Sequence, residues 1–292
     1  MVARSGQELL EICNQRGISL SEYAIQMEME NSESTREEVI NKMKATLKVM
    51  IDSATEGIEK EVYSVTGLIG GDGYRVNQYL KKGETLTGTT TVMAMAMALS
   101  SSEVNASMGR IVACPTAGSC GILPAVILSA GSKLDKTEDE LVMGLFAAAA
   151  VGTIIAMNAT VSGAEGGCQA ECGSAAAMGS AAVVEMMGGT TKMSLDAAAI
   201  VLKNILGLVC DPVAGLVEIP CAKRNAAGAV SALCTADLVM AGVESKIPFD
   251  DTVSAMYKVG KQLPAELRET AMGGVAITKT GLELKKKVFG DE

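Results

Sequence analysis

Apolar residues recur at helical spacing in the first 60 residues. Between residues 39 and 51, every apolar residue falls three or four positions from another: Val39, Ile40, Met43, Leu47, Met50 and Ile51. Lysines occupy other positions, which is the pattern of an amphipathic helix. Ser5 with Glu8, and Ser34 with Glu37, read as capping boxes that start helices. We predict that residues 1–60 form amphipathic helices that pack on the core of the protein or on a partner subunit.

The pattern changes after residue 61, where long Ala-, Gly- and Met-rich segments alternate with Gly/Pro-rich loops. Residues 92–99 alternate Met and Ala as a strand would, but both residues favour helices and the run continues to residue 106, which predicts a helix. Ser194 is the predicted N-cap of a helix that ends near residue 205, and Pro264 suits the first turn of a last short helix. No alternation of apolar strand and amphipathic helix is present. We therefore predict an all-α fold, a single compact helical domain with Gly/Pro-rich functional loops.

Residues 141–163 form a run of 23 residues without a charge, which is long enough to span a membrane. A third capping box, Thr137 with Glu140, precedes the run. The run is rich in Ala, Gly and Thr, it contains Asn158, and the chain has no Trp to anchor it at an interface. We predict a buried central helix and no membrane partner.

Composition removes several classes of mechanism. The chain contains no histidine, so Ser-His-Asp triads, Cys-His dyads and His-ligated zinc are excluded within this polypeptide. The net charge of -9 provides no basic stripe, so nucleic acid is not an expected partner. Charges at Arg4, Glu8 and Glu11 interrupt the N-terminal segment where a signal peptide needs an apolar region. The eight cysteines are therefore expected to be reduced, in a cytoplasmic protein.

Three cysteines stand in dense Gly/Pro motifs of the second half: Cys168 in GAEGGCQAECG, and Cys210 and Cys221 at the two ends of CDPVAGLVEIPC. Three thiolates can hold three irons of a cubane cluster and leave the fourth iron free, as an iron-sulfur Lewis acid requires. Buried structural cysteine is the competing interpretation of each thiol taken alone. Cys172 forms a C-x3-C pair with Cys168 and could itself be a ligand. Cys13 and Cys234 carry no motif and are interpreted as packing residues.

The sequence PTAGSCG, residues 115–121, suits a substrate loop. Its small residues let backbone N–H groups approach an anion, and Thr116 and Ser119 add hydroxyl donors, which suits an amino-acid carboxylate. A tight turn between helices is the other interpretation of such a cluster. Cys114 and Cys120 flank the loop and could be ligands.

These motifs together resemble the iron-sulfur-dependent L-serine dehydratase family, specifically the α chain of its two-subunit bacterial form. The resemblance runs through SVTGLIGGDGYR, MGRIVACPTAGSCGILPA, NATVSGAEGGCQAECG and GLVCDPVAGLVEIPCAKRNA. The family spacing C-x41-C-x10-C is reproduced by Cys168, Cys210 and Cys221, which the resemblance implies are ligands of a [4Fe-4S] cluster. It assigns Thr116, Ala117, Gly118 and Ser119 to the substrate. At the position of Cys172 the family usually has another residue, which makes Cys172 a bystander.

The resemblance also implies an activity and a partner. Residues 61–292 would be the cluster- and substrate-binding domain of an L-serine ammonia-lyase, which converts L-serine to pyruvate and ammonia. The family's candidate base lies in a β region with a histidine motif that is absent here, so the base is expected on a partner β chain, in a heterodimer or a larger assembly.

Two alternatives remain open at this point. One is an iron-sulfur L-cysteine desulfidase-like lyase, in which the same site would bind a substrate sulfur. The other is a non-catalytic iron-sulfur sensor, whose cluster would be fully coordinated. A pyridoxal-phosphate enzyme is disfavoured because the apolar region 111–164 has lysines only at Lys133 and Lys136, in a predicted surface turn.

Overall fold

The computed structural model describes residues 2–290, and these residues fold into α-helices joined by loops. The helices are α1 Gly6–Arg16, α2 Leu20–Ser32, α3 Arg36–Glu59, α4 Asp72–Leu80, α5 Thr89–Ala106, α6 Ile122–Lys133, α7 Glu138–Asn158, α8 Gly163–Gly166, α9 Ser174–Met186, α10 Thr191–Ile205, α11 Cys221–Met240, α12 Phe249–Gln262 and α13 Lys279–Phe289. Within residues 2–290 the only β pairing is two isolated bridges. The prediction of an all-α, single-domain fold is confirmed. The division into segments 1–60 and 61–292 stays a prediction.

The helix starts test the predicted caps one by one. The Ser5 hydroxyl accepts from the Glu8 N–H at 3.1 Å, and Thr137 and Glu140 form the reciprocal box, so both predictions are confirmed. The box predicted at Ser34 is wrong by one residue, because Thr35 and Glu38 form it instead. The backbone N–H of Ser34 bonds to the Met29 carbonyl at 3.3 Å and so closes the end of α2.

Two further predicted boundaries are corrected. Ser194 is buried inside α10, which begins at Thr191 and is capped by Thr190. Pro264 precedes a 3₁₀ turn, Ala265–Leu267, and not an α-helix. A threonine three positions before a free N–H competes equally with serine as a cap, so side-chain chemistry alone does not fix the first residue of a helix.

Helix α9 lies at the centre of the core. Every residue from Ser174 to Val184 is buried, and α9 packs against α6, α7, α10 and α11. Its small side chains allow the close approach of neighbouring helices: a Cβ added at Gly179 would lie 3.1 Å from Val126. The low aromatic content of the chain thus corresponds to a core of closely packed Ala- and Gly-rich helices.

Helix α7 is the one described helix that is long and apolar enough to cross a membrane. It packs against α2, α3 and α9, and 56% of its most apolar 18-residue window is buried against these neighbours. Core helices of this kind meet the same length and composition criteria as membrane spans. Helix α7 therefore forms one wall of the core, and the absence of a membrane partner stays a prediction.

The ends of several elements meet on one side of α9. A π-helical turn, Gln169–Gly173, leads into α9, and both the 3₁₀ turn Ala117–Ser119 and the start of α11 contact it. π-helical turns are frequent at functional sites because they shift side chains out of the regular helical register. This junction contains most of the residues that the sequence motifs singled out.

Candidate functional site

Cys168 and Cys172 lie at the start of the junction, on either side of one π-helical turn. Both are 2% exposed, and their sulfur atoms are 3.3 Å apart. The hydrogen bond with Cys172 and the positive charge of Arg224 lower the pKa of Cys168, against the opposing effect of burial. The pKa of Cys172 is raised by the same hydrogen bond and by burial. Of this pair, Cys168 is therefore the thiolate.

Gln169 fixes the position of Cys168, and the sequence reasoning assigned it no role. Its buried amide donates to the carbonyls of Gly166 at 2.9 Å and Met256 at 3.1 Å, and it accepts from the Gly207 N–H at 2.9 Å. One side chain therefore joins the loop before Cys168 to α12 and to the end of α10. A glutamine that directly follows a motif cysteine was the available signal, since a buried amide must satisfy its hydrogen bonds locally.

Cys210 and Cys221 enter the same junction from the other side. The backbone of Cys210 is held by the segment after α12, because its N–H donates to the Leu267 carbonyl at 2.9 Å and its carbonyl accepts from the Glu269 N–H at 2.7 Å. Cys221 is the first residue of α11. Burial, and then the negative charge of Cys168, raise the pKa of Cys210 above its usual range and that of Cys221 to about 12.

These mutual effects place the predicted cysteines in one group. The charge of Cys168 acts on Cys210 and Cys221, and that of Cys221 acts on Cys172. Four buried sulfurs thus share one anionic centre, three of them the predicted ligands and the fourth the bystander of the C-x3-C pair. A cation would relieve the repulsion among their thiolates.

Arg224 supplies the cationic side chain of this centre. Its guanidinium lies 2.9 Å from the Asp211 carboxylate and donates to the Val209 carbonyl at 2.8 Å. Asp211 in turn accepts from the Val275 N–H at 2.7 Å and so holds the C-terminal segment against the junction. The motif that follows Cys221 contains Arg224 at i+3, on the same helix face as the cysteine, which is the signal that sequence reasoning left unused.

The predicted substrate loop forms the 3₁₀ turn Ala117–Ser119, with the Thr116 and Ser119 hydroxyls 3.2 Å apart. Within residues 2–290, the backbone N–H groups of Ala117 and Gly118 have no hydrogen-bond acceptor. Thr116, Ala117 and Gly118 are exposed or half-buried, whereas Ser119 is buried. The turn therefore offers unpaired donors to an anion, as the substrate interpretation requires.

Asn225 ties this loop to α11. Its buried side chain donates to the Gly118 carbonyl at 2.7 Å and to the Cys221 carbonyl at 2.9 Å, and it accepts from the Gly121 N–H at 2.9 Å. The loop and Cys221 are therefore positioned by one residue. Sequence reasoning did not identify Asn225.

Glu171 lies between the loop and the cysteines. Its carboxylate accepts from the Thr116 hydroxyl at 2.9 Å. Burial raises the pKa of Glu171, the Thr116 hydroxyl lowers it, and the nearby charge of Glu269 raises it further. The same turn that places Cys168 and Cys172 thus places a buried carboxyl beside the substrate loop.

The remaining cysteines lie outside this group. Cys114 and Cys120 are buried together, with the Cys114 sulfur 3.7 Å from the Cys120 carbonyl oxygen, and burial raises the pKa of Cys120 to about 12. Cys13 is buried in the core, as a packing residue should be. The same interpretation of Cys234 is wrong, because Cys234 is exposed on α11.

Among residues 2–290, no three His, Cys, Asp or Glu side chains have the geometry to hold a single metal ion. A cubane cluster has a different requirement, because each iron takes one cysteine and the thiolates stand farther apart than the ligands of one ion. Buried thiols on three separate backbone segments, beside a guanidinium, match the chemistry of that donor set.

Comparison with known proteins identifies the family. The chain matches the family described as "Serine dehydratase alpha chain" over residues 15–276. It belongs to this family. It is 49% identical to the "Probable L-serine dehydratase, alpha chain" of Bacillus subtilis, over 98% of this chain and 95% of that protein. It is 46% identical to the "L-serine dehydratase, alpha chain" of Peptoniphilus asaccharolyticus, over 97% of each chain.

Serine dehydratase sequences of a second length also match this α chain. "L-serine dehydratase 1" of Escherichia coli is 35% identical over 94% of this chain, but the match covers only 61% of that protein. The longer relative therefore carries a region without a counterpart in this family member. The resemblance stated from the motifs alone is confirmed.

Proposed function

We propose that this chain is the cluster-bearing α subunit of an L-serine dehydratase, which eliminates water from L-serine and yields pyruvate and ammonia. The observation that carries the proposal is the meeting of the cysteine group with the loop Thr116–Ser119 at one junction. The names of the most similar relatives support the substrate and the reaction.

Cys168, Cys210 and Cys221 would hold a [4Fe-4S] cluster. They are the three buried thiols contributed by separate segments, whereas Cys172 shares a helical turn with Cys168. When bound, such a cluster supplies a Lewis acid for the departing hydroxyl group. Arg224 would offset part of the negative charge of the thiolates, because its own charge already lowers the pKa of Cys168.

The substrate carboxylate would bind the loop. The unpaired N–H groups of Ala117 and Gly118 and the hydroxyls of Thr116 and Ser119 form a donor set for it. Asn225 keeps this set at a fixed distance from Cys221. Fixed spacing between the carboxylate site and the metal site would favour a small amino acid with a β leaving group.

Proton abstraction from Cα would be performed by a partner β chain. The chain has no histidine to act as a base near neutral pH. The longer E. coli relative has 39% of its length outside the match, which is room for the missing part of the enzyme within one chain. We further propose that the protein is cytoplasmic, since its eight cysteines are free thiols.

Anaerobic reconstitution with iron and sulfide, with and without a β chain, tests the proposal. The reconstituted pair should release pyruvate from L-serine, and the α chain alone should turn over negligibly. Release of sulfide from L-cysteine in preference to pyruvate from L-serine would establish the desulfidase alternative. A reconstituted cluster whose spectrum does not respond to L-serine would support the sensor alternative.

A further inference from the structure

Glu171 occupies the space between the substrate loop and the cysteine group. One carboxylate oxygen, Oε1, accepts from the Thr116 hydroxyl at 2.9 Å, and a Cβ added at Gly118 would lie 3.2 Å from it. The other oxygen, Oε2, faces Gly163, where an added Cβ would lie 2.6 Å from Oε2 and 3.1 Å from the Cys210 sulfur. The carboxylate therefore extends from the loop on one side to a predicted cluster ligand on the other.

Glycine is needed at two of the positions that surround this carboxylate. A methyl group at Gly163 would collide with Oε2, and one at Gly118 would be unusually close to Oε1. Contacts under 3.0 Å require one of the groups to move. The packing around Glu171 thus holds the carboxylate in one place with little room for another orientation.

The protein supplies no cation to this carboxylate. No lysine or arginine among residues 2–290 forms an ion pair with Glu171, since Arg224 is paired with Asp211 and Lys223 with Asp72. The neighbouring charge that acts on Glu171 is that of another carboxylate, Glu269. A buried carboxylate in such a setting is complementary to a cationic ligand group.

An α-amino acid carries that cation at the required place. If its carboxylate binds Thr116–Ser119 and its β-hydroxyl points to the cysteine group, its α-ammonium must lie between the two, because all three groups are attached to two adjacent carbons. We propose that Glu171 binds the α-ammonium group of the substrate and thereby selects amino acids over the corresponding hydroxy acids. This inference rests on the proposed function and assigns a specificity residue to it.

A role as the base that removes the Cα proton makes a different prediction. A base affects turnover and leaves equilibrium binding of a non-reacting ligand unchanged, whereas an ammonium-binding residue affects binding itself. L-Alanine and L-lactate separate the two roles. They differ in bearing an ammonium or a hydroxyl at Cα, and neither has a β-hydroxyl to eliminate.

The experiment measures dissociation constants of both ligands by calorimetry, on the reconstituted complex of this chain with a β chain. Wild type should bind L-alanine more tightly than L-lactate. In Glu171→Gln the preference should fall by about 10- to 100-fold, the range for a lost charge-assisted hydrogen bond. Glu171→Asp, which keeps the charge on a shorter side chain, should retain part of the preference. Glu165→Gln, an exposed carboxylate three residues before Cys168, should retain all of it.

Three outcomes would overturn the inference. Equal binding of the two ligands by an active wild type would show that no ammonium site exists. An unchanged preference in Glu171→Gln with slower turnover of L-serine would assign Glu171 as the base. An equal loss of both ligands and of iron content would make its role structural. A wild-type complex that binds iron but neither binds nor converts L-serine would instead refute the proposed function itself, and the inference with it.

Discussion

Replacement of Asn225 by alanine should destabilise the protein and loosen the substrate loop together. The side chain is 1% exposed and makes three hydrogen bonds, to the Gly118 carbonyl, the Cys221 carbonyl and the Gly121 N–H. The Gly118 carbonyl is half-buried and can bind water after the substitution, whereas the buried Gly121 N–H would be left without a partner. The cost of the buried donor is about 1–3 kcal/mol, to which the loss of the other two bonds adds about 1 kcal/mol.

The expected total of about 2–4 kcal/mol converts to a fall in Tm of about 3–7 °C for a chain of this length. Thermal unfolding followed by circular dichroism under anaerobic conditions measures it. Asn158→Ala is the matched control: its amide also donates to two carbonyls, of Arg4 and Ile154, but Asn158 is exposed. The control should change Tm by less than about 2 °C, because water replaces the lost partner.

The same variant should raise the KM for L-serine, since the loop loses its tie to α11, and should affect iron content less. Two results would refute this reasoning. One is a Tm no lower than that of Asn158→Ala, which would mean that Asn225 does not restrain a buried donor. The other is a normal KM with lost iron, which would mean that Asn225 supports the cysteine side of the junction and not the loop.

Two further predictions concern other parts of the fold. Gly163→Ala places a methyl group 2.6 Å from Glu171 Oε2 and 3.1 Å from the Cys210 sulfur, so it should lower both iron content and affinity for L-serine, measured by iron analysis and calorimetry, whereas Gly17→Ala, in open space, should lower neither. Burial raises the pKa of Glu103 to about 7, so its contribution to stability is fully present below its ordinary pKa of about 4.5 and is lost as pH rises through about 7. Glu103→Gln should therefore show a smaller fall in Tm than wild type across that range, and equal pH profiles of the two proteins would contradict the assignment.

The amino-acid pattern was sufficient to predict the helices and the residues that gather at the site. The Ala- and Met-rich run that ends at Ala106 is a helix as expected, because residue propensity outweighs an accidental alternation. The cysteines of the two Gly/Pro motifs come together with the loop Thr116–Ser119. Dense motifs of this kind carry information because several residue types must occur together for one local geometry.

Other features required the tertiary structure. The roles of Glu171 and Asn225 depend on segments near residues 116, 163 and 221 that only folding brings together. The capping box moved by one residue, from Ser34 to Thr35, because the end of α2 uses the Ser34 N–H. The exposure of Cys234 could not be predicted, because a lone thiol on a helix gives no sign of which face it occupies.

The measurement that tests the central claim most directly is the iron content and electron paramagnetic resonance spectrum of anaerobically reconstituted single-cysteine variants. Wild type and Cys172→Ser should each take up about four irons per chain, as for one cubane cluster. Cys168→Ser, Cys210→Ser and Cys221→Ser should each lose or convert the cluster, and Cys234→Ser should match wild type. A Cys172→Ser variant that loses the cluster, while one of the other three retains it intact, would contradict the assignment of ligands.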